Sequence, residues 1–131
     1  MGLGDKTNRL AQMLVGAEAA FEESEVLTVA CGYFHTMIVK TDGTLWTFGN
    51  ADDGALGHND RNTRLVPTRI EAQLFGNAKI VAVAGEVSHS AAVREEGTLY
   101  TLGEASGLGH INVEAKLVPT CITPSLLQCD E

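Results

Sequence analysis

The sequence has no apolar segment that approaches the roughly 20 residues needed to cross a bilayer as a helix. It also lacks a charged leader followed by an apolar stretch, so no secretory signal is predicted and a cytoplasmic location is the default expectation. Basic residues are few, since nine Lys and Arg stand against 17 Asp and Glu, a net charge of −8. A chain this acidic is repelled by phosphate groups, so we expect neither nucleic acid nor a membrane as partner.

Motifs for metal and phosphate chemistry are also missing. The three cysteines (Cys31, Cys121 and Cys129) have no C-x-x-C or Cys/His zinc spacing, so we expect reduced thiols and no metal. No G-x-x-x-x-G-K-[ST] phosphate loop occurs, and no G-x-S-x-G nucleophile elbow. These absences predict no cofactor.

What the sequence does contain is an internal repeat. Residues 26–49 align without a gap to residues 80–103, with nine identities in 24 positions. The similarity continues from ALGHNDRNTRLVPTRI at 55–70 to GLGHINVEAKLVPTCI at 107–122, where the second loop is two residues shorter. Residues 2–15 repeat the same segment in degraded form. We therefore divide the chain into the tail of an upstream repeat with an acidic loop (1–25), repeat 1 (26–79), repeat 2 (80–124) and a polar tail (125–131).

Each repeat is typical of about four short strands. Two apolar runs flank Asp42-Gly43, which predicts a hairpin with a two-residue turn, and Glu96-Gly97 takes the same place in repeat 2. Pro67 and Pro119 predict outer strands, because proline cannot donate to a central ladder. The runs are apolar at nearly every position, as in sheets covered on both faces. Radially stacked blades meet this requirement.

The pattern V-A-C-G-x-x-H-T, D-G-x-L-W-x-F-G-N, G-x-L-G-H and V-P resembles the regulator of chromosome condensation repeat family over roughly residues 2–124. The resemblance implies an all-β fold, a partial β-propeller of about two four-stranded antiparallel blades plus part of a third. Family members form seven-bladed propellers that act in nucleotide exchange on the GTPase Ran, as ubiquitin-ligase and ciliary scaffolds, and in ultraviolet perception. A closed ring of seven such blades needs about 370 residues, roughly three times this chain.

Residues that recur at equivalent positions are predicted to be structural, because a catalytic residue is needed once. The matched histidines could instead form a metal site, but we expect each imidazole to bond the backbone of its own blade. Ser88-His89-Ser90 invites a hydrolase interpretation, yet Phe34 and Thr36 stand at the serine positions of repeat 1, so no enzyme activity is expected. The predicted structural residues are His35, His89, Gly43, Gly97, Gly49, Gly103, Gly57, Gly109, Pro67 and Pro119.

Residues without a counterpart in the other repeat are the candidate contacts with a partner, because loops on one rim of a repeat scaffold usually carry function. Two adjacent aspartates in the longer loop could imitate a metal-binding pair, although a solvated turn is the favoured interpretation. The candidate contacts are Tyr33, Phe34, Trp46, Asp52, Asp53, Arg61, Arg64, Arg69 and Glu86.

The sequence therefore predicts a non-catalytic protein-binding or scaffold subunit within a larger assembly. Two blades alone leave apolar faces open, so we expect these faces to be covered by other protein subunits or by missing repeats. The alternative is a fragment of a full propeller that acts as a guanine-nucleotide exchange factor for a small GTPase.

Overall fold

Short β-branched and apolar runs separated by glycine turns fold into two four-stranded sheets. The computed structural model describes residues 24–51, 55–103 and 116–121. In chain order, the first sheet contains β1 (Val26–Cys31), β2 (His35–Lys40), β3 (Leu45–Gly49) and β4 (Arg64–Arg69). The second contains β5 (Ile80–Gly85), β6 (His89–Arg94), β7 (Leu99–Gly103) and β8 (Lys116–Cys121).

Both sheets are antiparallel meanders with the same register. The strand order is β1-β2-β3-β4 in one and β5-β6-β7-β8 in the other. The pair His35↔Gly49 recurs as His89↔Gly103, and the irregularity between Val26 and Thr28 recurs between Ile80 and Ala82. Sequence equivalence therefore extends to each cross-strand pair of the shared ladders.

The hairpin turns differ from the predicted two-residue form. Strand β2 ends at Lys40 and β3 begins at Leu45, and the Gly43 amide donates to the Lys40 carbonyl at 2.9 Å. Gly43 has φ 86°, which a type I turn followed by a left-handed residue requires. The equivalent Gly97 has φ 98° and the same bond to Arg94, at 2.8 Å. The two-residue prediction was wrong because the turn uses one more residue before the glycine.

The main core lies between the two sheets. Side chains alternate along a strand, so one set from β2 and β3 faces the second sheet. That set packs with residues of β5, β6, β7 and the 3₁₀ helix Ala72–Phe75, which links the sheets and was not predicted. The cluster contains Met37, Val39, Leu45, Ile70, Phe75, Ile80, Ala92 and Tyr100.

Proline positions agree with the sheet order, since β4 and β8 are edge strands and contain Pro67 and Pro119, respectively.

The cysteines agree less well with expectation. Cys31 is free and exposed, but Cys121 is disulfide-bonded, so the prediction of reduced thiols was wrong for that residue. None of the described helices is long and apolar enough to cross a membrane. The predicted upstream repeat tail, apart from its last two residues, and the polar tail 125–131 lie outside the described residues.

Candidate functional site at the loop rim

The meander topology brings three loops to one end of the sheets, which we call the loop rim. It is formed by the β1–β2 loop (32–34), the described residues of the β3–β4 loop (50–51 and 55–63) and the β5–β6 loop (86–88). The β2–β3 turn and the connection to β5 lie at the opposite end, because successive antiparallel strands reverse direction. The loop rim is therefore a surface to which both sheets contribute.

The segment Ala55–His58 is held between the two sheets by hydroxyl groups. Ser90, which is fully buried, donates from Oγ to the Ala55 carbonyl at 3.0 Å and lies 2.8 Å from Nε2 of His35. The single hydroxyl hydrogen points to the carbonyl, so the imidazole Nε2–H is the donor to Ser90. His35 of the first sheet is thus joined to the second sheet through one buried hydroxyl.

Thr47 makes the equivalent arrangement within the first sheet. Its Oγ1 donates to the Leu56 carbonyl at 2.7 Å and accepts from Nε2 of His58 at 2.9 Å. Burial, followed by the positive charge of Arg64, lowers the pKa of His58 to about 4, although Asp60 acts in the opposite sense. The imidazole is therefore neutral near pH 7, as its buried surroundings require.

These bonds add a contact that the sequence did not predict for the matched histidines. The predicted bond of His35 to the local backbone of its own blade stays a prediction, and its Nε2 bonds the Ser90 side chain of the next sheet. The alternating pattern along the strand explains this, since His35 faces the second sheet with Met37 and Val39. Within residues 24–51, 55–103 and 116–121, no group of three His, Cys, Asp or Glu side chains is placed to hold a metal. The architectural role predicted for His89 stays a prediction.

At the loop rim the two sheets touch through their backbones. A Cβ placed on Gly32 would lie 2.2 Å from the Glu86 carbonyl oxygen and 2.1 Å from Cε1 of His35. A Cβ on Gly85 would lie 2.9 Å from the Cys31 carbonyl carbon. Neither glycine can carry a side chain in this arrangement. The β1–β2 and β5–β6 loops therefore form one continuous surface.

An exposed apolar patch covers this surface. Tyr33 is 72% exposed and Phe34 63%, and their rings meet edge to face with centroids 6.3 Å apart. Val87, on the adjoining loop, is 44% exposed. Glu86 is exposed beside it. We call these four residues the rim patch. Of its members only Val87 was not predicted, and its signal was the replacement of Tyr33-Phe34 by Val87-Ser88 in repeat 2.

The three arginines predicted as partner contacts, Arg61, Arg64 and Arg69, do not form one surface. Arg64 and Arg69 stand at opposite ends of β4, roughly 16 Å apart at the usual rise of a strand. Arg64 is half-buried and bonds Asp60 at 2.9 Å. A hydrogen bond from the Asn62 amide, together with Arg64, holds the pKa of Asp60 below its usual value. Arg61 is exposed on the β3–β4 loop, and Asp52 and Asp53 lie outside the described residues.

Trp46 was predicted as a contact, but only 2% of it is exposed. It packs with Ile38 and Phe48 on the face of the first sheet that points away from the second. Its Nε1–H donates to Thr44 Oγ1 at 2.8 Å, and Thr44 in turn donates to Asp42. The sequence could not distinguish this buried face from a rim, so the expectation for Trp46 was wrong.

The predicted structural glycines in the described part of the chain all have positive φ, and Gly109 lies outside it. Gly57 shows why the ALGH segment needs glycine. A Cβ there would lie 2.8 Å from terminal carbons of both Ile70 and Leu102. The positive-φ positions are Gly43, Gly49, Gly57, Gly97 and Gly103.

Two equivalent four-stranded antiparallel meanders, packed face to face by successive repeats, define consecutive blades of a β-propeller. Family models for the regulator of chromosome condensation (RCC1) repeat match residues 42–93 and 26–55. The chain therefore belongs to the RCC1 repeat family and forms part of a propeller.

Individual relatives support the same assignment. The chain is 37% identical to the ultraviolet-B receptor UVR8 of Arabidopsis thaliana over 103 residues, which is 79% of this chain and 22% of the receptor. It is 36% identical over 80 residues to the X-linked retinitis pigmentosa GTPase regulator homolog of Caenorhabditis elegans, covering 60% of this chain and 6% of that protein. The crystal structure of human WBSCR16 superposes with a TM-score of 0.69 at 26% identity, over 79% of this chain and 26% of that one. The chain thus spans between 6% and 26% of the length of these relatives.

Proposed function

We propose that this chain is a non-catalytic, protein-binding segment of an RCC1-type propeller and that its rim patch is the binding surface. The observation that carries this proposal is the exposure of Tyr33 and Phe34, 72% and 63%, on one loop. Aromatic side chains exposed side by side are typical of the energetic centre of protein interfaces. The partner gains affinity by removing these rings from water.

The construction of the loop rim supports the same role. Backbone contact at Gly32 and Gly85 holds the two loops together, and the hydroxyl bonds of Thr47 and Ser90 hold the neighbouring ALGH segment. A surface that is already ordered loses little conformational entropy on binding. The patch is therefore suited to recognition by a rigid surface.

The proposal is tested by co-purification from cells of the whole polypeptide that contains this chain. A Tyr33→Ser/Phe34→Ser variant is compared with Val26→Ser/Leu27→Ser, which removes two exposed apolar side chains at the opposite end of β1. We expect the rim variant to lose specific partners, measured by quantitative mass spectrometry, and the control to keep them. Identical partner sets for both variants would contradict the proposal.

A second candidate is guanine-nucleotide exchange on a small GTPase. It is favoured by the similarity to a protein named as a GTPase regulator homolog. The test is release of labelled nucleotide from a panel of small GTPases in the presence of the whole polypeptide. If the whole polypeptide accelerates nucleotide release and the Tyr33→Ser/Phe34→Ser variant does not, a small GTPase is the partner of the rim patch. Release rates that the polypeptide leaves unchanged would remove this candidate.

A further inference from the structure

The rim patch combines apolar rings with one uncompensated charge. Among the described residues the ion pairs are Arg64–Asp60 and Arg94–Glu96, and Glu86 takes part in neither. The Glu86 backbone touches the loop that carries Tyr33 and Phe34, and Val87 follows it directly. A single carboxylate therefore stands at the edge of an apolar surface.

From this arrangement, and resting on the proposed function, we infer that the rim patch recognises a partner segment in which an arginine or lysine lies next to an aliphatic side chain. The aliphatic group packs on Tyr33, Phe34 and Val87. The cation reaches the Glu86 carboxylate. A guanidinium fits best, because it stacks on aromatic faces as well as pairing with a carboxylate.

Charge also selects against two other occupants. A second copy of this chain, docked patch to patch, would place two Glu86 carboxylates and two chains of net charge −8 against each other. Nucleic acid would be repelled by the same net charge. A basic protein segment is the occupant that the aromatic rings and the carboxylate both favour.

The test is a titration of the ¹⁵N-labelled full chain, followed by amide chemical shifts, with two peptides carried to millimolar concentration. One is acetyl-Gly-Leu-Arg-Leu-Gly-amide, and the other has glutamate in place of the arginine. We expect the arginine peptide to shift the amides of residues 33, 34, 86 and 87, and the glutamate peptide to bind at least about tenfold more weakly. Glu86→Lys should reverse this preference. Glu86 is exposed, and the spectrum itself reports whether the variant is folded.

The matched control is a pair of valines of nearly equal exposure. Val87, 44% exposed, lies in the rim patch, and Val81, 42% exposed, lies near the start of β5, at the opposite end of the sheet. Val87→Ser should weaken binding of the arginine peptide severalfold, whereas Val81→Ser should leave it unchanged.

The outcomes separate this inference from the proposed function. Equal binding of both peptides, no binding of either, or a preference that Glu86→Lys does not change would overturn the basic–aliphatic assignment. If cellular partners are still lost in the Tyr33→Ser/Phe34→Ser variant, the proposed function stands without the basic–aliphatic assignment. If those partners are retained as well, both conclusions fall.

Discussion

The first and second sheets share sequence, strand order and register, but their equivalent positions meet different surroundings. Leu45 is 2% exposed and its counterpart Leu99 is 37% exposed. The residues of β2 that face the second sheet are buried, whereas His89, Ala91 and Val93 of β6 are half-buried. Repeat sequence therefore specifies the blade, and the neighbouring blade decides whether a position is core or surface.

The largest effect on stability is expected at Gly32 and Glu86, which occupy equivalent positions in the two repeats. Gly32→Glu would place a side chain against the Glu86 carbonyl and the His35 ring, so we expect a loss of roughly 3 kcal/mol or more of unfolding free energy. The reciprocal Glu86→Gly removes an exposed side chain and should cost less than about 1 kcal/mol. Urea titration of both variants measures the difference. Equal losses would show that the two loops do not touch as described.

The buried hydroxyl at Ser90 gives the next test. Ser90→Ala leaves both the His35 Nε2–H and the Ala55 carbonyl without their bonds, at a cost of about 2–3 kcal/mol. Thr36 is the equivalent residue of the first sheet and is half-buried, so Thr36→Ala should cost about 1 kcal/mol or less.

A double-mutant cycle of Ser90→Ala with His35→Gln sharpens this result. The two losses should be strongly non-additive because the side chains share one bond. Additive losses in chemical denaturation would argue against a bond between the two sheets at this point.

The turn glycines are expected to respond unequally to valine. Both have positive φ, so either substitution introduces backbone strain of about 1–2 kcal/mol. At Gly43 the new Cβ would also lie 2.4 Å from Cγ of Lys79, whereas at Gly97 nothing lies within 4 Å. Gly43→Val should therefore lower the thermal midpoint more than Gly97→Val. The reverse order of the two losses would mean that Lys79, in the connection between the sheets, does not pack against the turn that contains Gly43.

The smallest effect concerns pH. The folded pKa of His58, about 4, lies below the ordinary 6.5, so the stability contributed by its neutral form is complete above pH 6.5 and is lost as pH falls toward 4. Because the ring is only half-buried, we expect a loss of about 1–2 kcal/mol.

His58→Gln keeps a donor for Thr47 and should flatten the slope of stability between pH 6.5 and 4. The pKa values of Asp42 and Asp60 are lowered from 3.8, so their contributions are lost at still lower pH. An unchanged slope in the His58→Gln variant would assign the dependence to another group.

The sequence predicted the blades well because hairpin glycines, edge prolines and matched apolar runs act locally. It could not predict that His35 bonds Ser90, since the partner lies 55 residues away and depends on how two sheets pack. Trp46 shows the same difficulty, because an aromatic residue in a strand is equally compatible with a rim and with a buried face. Among the candidate contacts, Tyr33, Phe34 and Glu86 were found together because they belong to loops whose sequences differ between the repeats.

The hydroxyl groups of Ser90 and Thr47 hold the carbonyl groups of Ala55 and Leu56 in place. The length of the β3–β4 loop is therefore less free to change in evolution from Ala55 onward than before it. The two-residue length difference between the repeats falls before the ALGH segment, between Gly49 and Ala55 in the first repeat. Residues after that point keep their spacing through the proline strand. The repeats themselves thus differ in length before Ala55, whereas an insertion after that point would have to displace a segment that two hydroxyl groups hold.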